Sequence, residues 1–236
     1  MNKEMIKVGG VETFSTVDFP EKISAVVFMQ GCPWHCPFCY NTALCPINAE
    51  SDFVWSKFVD FLKTRRGVLD AVVFSGGEPL VQNTLAGAMT EIRELGYQVG
   101  LHTGGYRPEH LEKVIPLADW VGLDIKAPFV EEKYKTAIGG RMSHLKEVEK
   151  SLALLLKSGV DFECRTTCDP RILSINDIYE IVTELKNRGV KKYFLQKYRP
   201  TDSDTQTTDS ECEKFFLDQD LLDFLRSSFP VFDIRK

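Results

Sequence analysis

Gly31-Cys32-Pro33-Trp34-His35-Cys36-Pro37-Phe38-Cys39-Tyr40-Asn41 follows closely on the apolar run Ile23–Met29. That run has the length and β-branched content of a buried strand. The three cysteines therefore fall on the loop leaving its C-terminal end, with the spacing C-x3-C-x2-C. Thiolates this close in sequence can converge on one soft metal centre. A [4Fe–4S] cluster usually takes four cysteines. Three would leave one iron open to another ligand, which points to chemistry rather than electron storage. Zinc is the alternative, with His35 or Cys45 as fourth ligand. Structural zinc sites commonly draw on paired cysteine motifs, and no second pair is evident.

Outward from this loop, short apolar runs alternate with amphipathic stretches. Ala71–Phe74, Gln98–Leu101, Trp120–Ile125, Phe162–Thr166 and Tyr193–Gln196 read as further strands. Ser51 is a candidate cap for a helix to about Arg65. Leu85, Met89, Ile92 and Leu95 recur at helical spacing before Gly96. Leu145–Leu156 closes at Gly159, Ser174–Asn187 at Gly189, and Glu213–Phe229 precedes Pro230. Strands separated by helices predict βαβ units and a parallel sheet. Six strands are too few for an eight-stranded barrel. An open, partial barrel or a doubly wound sheet fits the count.

Polar or glycine-rich motifs stand at the C-terminal end of nearly every strand. Ser75-Gly76-Gly77-Glu78-Pro79 follows the second strand and His102-Thr103-Gly104-Gly105 the third. Asp124 and Lys126 end the fourth, Arg165 and Thr167 the fifth, and Gln196 the sixth. In α/β barrels the active site lies on that face. The expectation is an α/β fold, a partial (β/α)6 parallel barrel with its active site at the C-terminal ends of the strands. Residues 1–236 read as a single domain, with a leading segment over 1–22 and a polar surface loop over 201–212.

Composition narrows the function. The net charge of −5 argues against a nucleic-acid partner. No apolar run reaches membrane-spanning length, and the N-terminal residues lack the apolar core of a signal peptide. A cytoplasmic location is expected. The odd count of seven cysteines argues against a disulfide framework. Cys45, Cys164, Cys168 and Cys212 carry no argued role, and packing is the usual one.

Asp124 and Lys126 share one face of their strand, because strand side chains alternate. They form either a rim salt bridge or a polar clamp on a ligand. Arg165 is suited to a carboxylate through its guanidinium fork, or to a bridge with Glu163 or Asp124. Glycines at Gly76 and Gly77 let the backbone approach a ligand closely. A carboxylate or carbonyl at this turn suits an ammonium.

The cysteine loop, with aromatic Phe38 before its third cysteine, resembles the radical S-adenosylmethionine superfamily. Gly76-Gly77-Glu78-Pro79 resembles that family's GGEP motif. The resemblance implies that Cys32, Cys36 and Cys39 bind one [4Fe–4S] cluster, whose open iron is chelated by S-adenosylmethionine. It implies reductive cleavage of that cofactor to methionine and a 5′-deoxyadenosyl radical. Gly76, Gly77 and Glu78 would meet the methionine amino group. Thr103, Asp124, Lys126, Arg165 and Gln196 would be further cofactor contacts, with Phe38 and Tyr40 beside the cysteines.

Within the superfamily, Thr16-Val17-Asp18-Phe19-Pro20 resembles the start of glycyl-radical-enzyme activases, with Glu21 where glycine is usual. Asp124-x-Lys126 is similar to a motif of the same group. His102 replaces an acid that helps bind a monovalent cation in at least one activase. The chain looks most like an anaerobic ribonucleoside-triphosphate reductase activating protein. The implied partners are that glycyl-radical enzyme and an electron donor such as flavodoxin or ferredoxin. No cysteine-rich insertion follows the first motif, so a single cluster is expected. The absence of a separate substrate domain makes a partner protein the expected source of the target. The rival readings are a radical enzyme acting on a small molecule or peptide, and a non-catalytic iron–sulfur or zinc protein.

Overall fold

The computed structural model describes residues 6–200 and 206–236. In chain order it holds β1 (Val8–Ser15), β2 (Ser24–Met29), α1 (Trp55–Lys63), β3 (Ala71–Gly76), α2 (Leu85–Glu94) and β4 (Gln98–Thr103). There follow α3 (Pro108–Val114), β5 (Trp120–Asp124), α4 (Glu131–Ala137), α5 (Leu145–Ser158) and β6 (Asp161–Cys168). The last are α6 (Ile175–Arg188), β7 (Lys192–Lys197), α7 (Asp209–Leu217), α8 (Gln219–Ser228) and β8 (Val231–Arg235).

The chain forms two compact bodies. The first takes in residues up to His35, then Tyr40–Gly122 and Glu147–Asp161. The second takes in Cys36–Cys39, Leu123–Lys146 and Phe162 onward. In the first body β1 runs antiparallel to β2, and β2, β3 and β4 are parallel neighbours. In the second, β6, β7 and β8 are parallel neighbours. β5 starts in the first body, where the Asp119 N–H donates to the Val99 carbonyl. It ends in the second, where the Ile125 N–H donates to the Arg165 carbonyl.

Side-chain chemistry explains the central strands. Ala25, Val26, Val27 and Met29 of β2 are fully buried, as are Ala71–Phe74 of β3. A continuous apolar run belongs in a parallel strand covered on both faces. Val26, Ala71 and Val73 pack with Phe19 and Trp120 into one cluster. α6 begins at a reciprocal capping box, in which Ser174 accepts from the Asp177 N–H and Asp177 accepts from the Ser174 N–H. Gly189 closes it in the left-handed conformation.

Several expectations need correction. Ser51 does not cap the first helix. Its hydroxyl donates to the Val8 carbonyl, and the helix starts at Trp55. The leading segment contains β1, which its paired glycines and mostly exposed side chains disguise. Glu213–Phe229 is two helices, parted at Asp218, which closes α7 and caps α8 by accepting from the Leu221 N–H. A further strand, β8, follows Pro230. Of the polar loop, residues 201–205 lie outside the described residues, while Asp209–Cys212 already belong to α7. The signal-peptide reading also rests mainly on residues outside the described ones. No helix among the described residues is long and apolar enough to cross a membrane.

β8 is fastened by charge. Glu163 of β6 is 1% exposed, and its carboxylate accepts from Arg235 Nη1 at 2.5 Å and Nη2 at 3.0 Å. The guanidinium lies 4.0 Å from the centroid of the Phe194 ring of the intervening β7. Removing one partner of a buried pair strands the other charge. Arg235→Met should therefore destabilise the fold by about 3 kcal/mol in denaturant titration. Glu163→Gln added to it should restore part of the loss. Stability unchanged in Arg235→Met would show the pair to be idle.

Candidate active site

The loop after β2 is closed by its own backbone. The Gly31 N–H donates to the Leu44 carbonyl at 2.7 Å and the Cys32 N–H to the Cys45 carbonyl at 3.0 Å. Trp34 is 2% exposed and packs against the end of β4. A Cβ added at Gly104 would stand 2.0 Å from the indole ring, so glycine there makes room for it. The ring also meets Tyr106 edge-on, with centroids 6.1 Å apart. Trp34 thus packs in the core and holds the loop that carries Cys32.

Gly76 and Gly77 are required by backbone, not side-chain, neighbours. Gly76 has φ +101°, and a Cβ there would lie 2.4 Å from Met29 N. At Gly77 it would lie 2.3 Å from the Gly31 carbonyl oxygen. The close approach lets β3 continue its ladder past the strand end. The Gly77 N–H donates to Met29 and the Glu78 N–H to Gly31, both at 2.9 Å. Asn41 Nδ2 donates to the Gly76 carbonyl at 3.4 Å. The glycine turn is therefore bound to the strand and loop that lead into Cys32.

Glu78 extends the same tie to β4. Its carboxylate is 2% exposed and accepts from Leu80 N–H, Thr103 Oγ1 and Gly104 N–H at 3.1, 2.6 and 2.8 Å. Thr103 Oγ1 in turn accepts from the Gly105 N–H at 2.9 Å, and Ser151 donates to the Gly105 carbonyl at 2.8 Å. Gly76, Gly77, Glu78 and Thr103 are thus brought together in the first body. The side chain of Glu78 serves this junction.

His102 faces the leading segment. Its Nε2 lies 2.8 Å from the Asp18 carbonyl oxygen, a pure acceptor, so Nε2 carries the proton. Nδ1 lies within hydrogen-bond distance of Ser75 Oγ, at 3.3 Å. The ring stands edge-on to Trp120. Ser15 and Asp18 close a turn through a 2.5 Å hydrogen bond, which sets the carbonyl that His102 grips.

The second body assembles another group. Arg165 is 6% exposed and gives Asp124 Oδ1 two hydrogen-bonding nitrogens, Nε at 2.9 Å and Nη2 at 2.8 Å. Lys126 Nζ lies 3.5 Å from Asp124 Oδ2 and 5.6 Å from the centroid of the Phe38 ring. The pairing of Arg165 is with Asp124; Glu163 belongs to Arg235. One carboxylate between two cations leaves the trio with a net positive charge, and the group is partly buried.

Cys36 and Cys39 share a turn, the Cys39 N–H donating to the Cys36 carbonyl at 3.0 Å. Burial pushes the Cys36 thiol up; the Lys126 ammonium pulls it down, and Cys39 and Asp124 push it up again. Phe38 is buried with Tyr198 and Cys212. Tyr40 is exposed, and Gln196 stands in register between Thr167 and Arg235.

Exposure separates the cysteines. Cys32, Cys36 and Cys39 are half-buried, whereas Cys45, Cys164, Cys168 and Cys212 are buried. Burial pushes the thiols of the last three up, as it does that of Cys36, so solvent exposure is what sets Cys32, Cys36 and Cys39 apart. Three accessible soft donors fit an iron–sulfur cluster with one iron left without a protein thiol. Among the described residues no three Cys, His, Asp or Glu side chains stand together in metal-holding geometry. The ligand set is read from donor type and spacing.

Sequence reasoning missed Asp169 and Arg171. They follow β6 as the other motifs follow their strands, and that position was the available signal. It also missed Tyr134, a fully buried residue whose hydroxyl accepts from the Lys126 N–H at 3.3 Å.

The profile of the Radical SAM superfamily matches residues 26–168. A candidate glycyl-radical enzyme activating enzyme of Methanocaldococcus jannaschii is 35% identical over 207 residues, covering 83% of this chain and 81% of the relative. The pyruvate formate-lyase-activating enzyme of Clostridium pasteurianum is 29% identical, covering 82% of each chain. Among solved structures, Streptococcus suis SuiB bound to S-adenosylmethionine aligns with TM-score 0.66 and 13% identity over 88% of this chain. This chain spans about half the length of SuiB, 48%. A radical SAM methyltransferase from Sphaerobacter thermophilus aligns with TM-score 0.67 and 14% identity, covering 92% of this chain and 67% of the other. These likenesses show the fold, an α/β architecture with a parallel sheet consistent with a partial, unclosed barrel. The chain belongs to the Radical SAM superfamily, whose enzymes use a [4Fe–4S] cluster and S-adenosylmethionine, and its relatives include glycyl-radical enzyme activating enzymes.

Proposed function

We propose that this protein is a cytoplasmic activase that installs a glycyl radical on a partner enzyme, the anaerobic ribonucleoside-triphosphate reductase. The observation that carries the activase reading is the 35% identity to a candidate activase over 83% of the chain. The choice of partner rests on the overall likeness of the sequence to that reductase's activating protein.

In this reading Cys32, Cys36 and Cys39 hold the cluster. When bound, cluster and S-adenosylmethionine supply a 5′-deoxyadenosyl radical, given one electron from a donor such as flavodoxin or ferredoxin. The residues of the chain bind and orient. Lys126 and Arg165, with one carboxylate between them, provide net positive charge for the methionine carboxylate, and a guanidinium is well shaped for it. Backbone carbonyls at the Gly76-Gly77 turn receive the amino group, while Glu78 keeps that turn tied to Thr103. Phe38, Tyr40 and Gln196 complete the set of proposed contacts. The target glycine has no side chain to obstruct a close approach, and its loop must change order to reach the cofactor.

Anaerobically reconstituted protein should carry about four irons per chain. Cys32→Ala, Cys36→Ala or Cys39→Ala should each lose the cluster, and replacement of Cys45, Cys164, Cys168 or Cys212 should retain it. Stoichiometric zinc, with no cluster obtainable, would overturn the assignment.

Lys126→Met and Arg165→Gln should keep the iron but weaken S-adenosylmethionine binding by about tenfold or more, the effect of losing one charge-assisted hydrogen bond. Equilibrium binding at wild-type strength in both would reduce the trio to a structural bridge.

Reduced protein mixed with S-adenosylmethionine and the anaerobic reductase of the same cell should give a glycyl-type doublet by electron paramagnetic resonance. The doublet should vanish when the partner's glycine is replaced by alanine. A doublet raised only in a different glycyl-radical enzyme would reassign the partner. Efficient 5′-deoxyadenosine formation on a small molecule or peptide, with no protein radical, would reject the activase reading.

A further inference from the structure

β6 ends at Cys168, and the next residues make a tight turn, Asp169-Pro170-Arg171. Asp169 is fully buried. Its Oδ1 accepts from the Arg171 backbone N–H at 3.0 Å and from Nε at 2.9 Å. Its Oδ2 accepts from Nε at 3.0 Å and Nη2 at 2.5 Å. The Asp169 carbonyl meanwhile accepts from the N–H groups of Ile172 and Leu173. A buried carboxylate gripping a guanidinium along one edge fixes that cation with little freedom left.

The fixed cation is aimed at the cysteine turn. Arg171 Nη2 lies 3.4 Å from the Pro37 carbonyl oxygen, within the Cys36-Pro37-Phe38-Cys39 turn. The guanidinium carbon sits 5.0 Å from the centroid of the Tyr198 ring. Tyr198 is itself buried against Phe38 and Cys212, with Cys36 and Ile172 packed alongside. Charge, ring and carbonyl thus meet on one small stretch of backbone. Carboxylate grip, ring stacking and a carbonyl contact together need the planar fork of arginine; the ammonium of lysine cannot reproduce them.

We propose that Arg171, clamped by Asp169 and stacked on Tyr198, is a positioning residue that holds the Cys36–Cys39 turn in its ligating shape. The proposal rests on the reading of Cys36 and Cys39 as cluster ligands. It adds a role for two residues beyond the cysteine motif. Arg171 acts through the Pro37 carbonyl and the Phe38–Tyr198 packing. Its charge also stands close to the turn, so its removal would leave the buried Asp169 charge uncompensated.

The test uses the full-length protein in two forms. In metal-free protein, the alkylation rate of each cysteine is followed by mass spectrometry. Arg171→Gln and Arg171→Lys should both raise the rates at Cys36 and Cys39 about fivefold, the population change that one net hydrogen bond supplies. Cys32 should keep its wild-type rate. In reconstituted protein, Arg171→Gln should lower the midpoint potential of the cluster and alter its reduced-state electron paramagnetic resonance spectrum. Arg171→Lys, which keeps the charge, should leave the potential near wild type. Wild-type alkylation at Cys36 and Cys39 in both variants would overturn the proposal. So would a uniform rise over all seven thiols, which marks general loosening of the fold. If Arg171→Gln does not fold, Arg171→Lys alone decides by the same alkylation comparison. The iron content of the wild type tests the ligand assignment separately, so a failure there is distinguishable from a failure of Arg171.

Discussion

The first body depends on a backbone packed closer than any side chain permits. Gly76 and Gly77 lie against Met29 and Gly31 at distances that a Cβ would violate. The ladder between β2 and β3 therefore runs on into the two loops that follow them. Glu78 then reaches from this junction to Thr103 and Gly104, so a third strand end joins the same network. A carboxylate taken out of water is costly unless its oxygens are satisfied, and here several donors satisfy them. The price of burying Glu78 is met by fixing three loops at once. Rigidity of this kind is what a cofactor site needs, because a binding geometry is only as precise as the shell behind it.

The second body uses ion pairs for a comparable purpose. Asp124 takes two nitrogens of Arg165, Glu163 takes two of Arg235, and Asp169 takes the edge of Arg171. Two of the three carboxylates are all but removed from solvent, and Asp124 remains partly exposed. The arrangement leaves the Glu163 pair as a fastening for β8, while the Asp124 group retains an excess of positive charge. Burial thus distinguishes the Glu163 pair from the more exposed Asp124 group. Lys126 links the latter to the cysteine turn, through its field on Cys36 and its approach to the Phe38 ring.

The alternation of strands and helices was legible because parallel βαβ units impose continuous apolar runs and capped amphipathic helices. Ser174 and Gly189 mark α6 without ambiguity. β1 was illegible because Gly9-Gly10 and its exposed side chains carry no buried periodicity; pairing with β2 makes it a strand. β8 was missed for a similar reason, since Val231 is exposed and the strand is held by β7 and by the ion pair of Arg235. The break between α7 and α8 turns on Asp218, a preferred N-cap residue whose carboxylate accepts from the Leu221 N–H, a signal masked by the continuous helical pattern on either side.

Sequence by itself determined the family and the chemistry on offer. The spacing of Cys32, Cys36 and Cys39 and the Gly76-Gly77-Glu78-Pro79 turn are local patterns, fixed by which atoms a few consecutive residues present. Tertiary structure decided which partner each polar group takes. At the Glu78 turn the sequence offers a carboxylate or a carbonyl to an ammonium, and folding gives that carboxylate Thr103 and Gly104 as donors. Arg165 reads equally well toward Glu163 or Asp124, and folding gives it Asp124. Asp169 and Arg171 attract no notice as letters, yet they end against the cysteine turn more than a hundred residues away, Pro37 and Arg171 standing 134 positions apart. Hydrogen bonds and ion pairs act over a few ångströms, and only the packing of distant segments sets which groups come within that range.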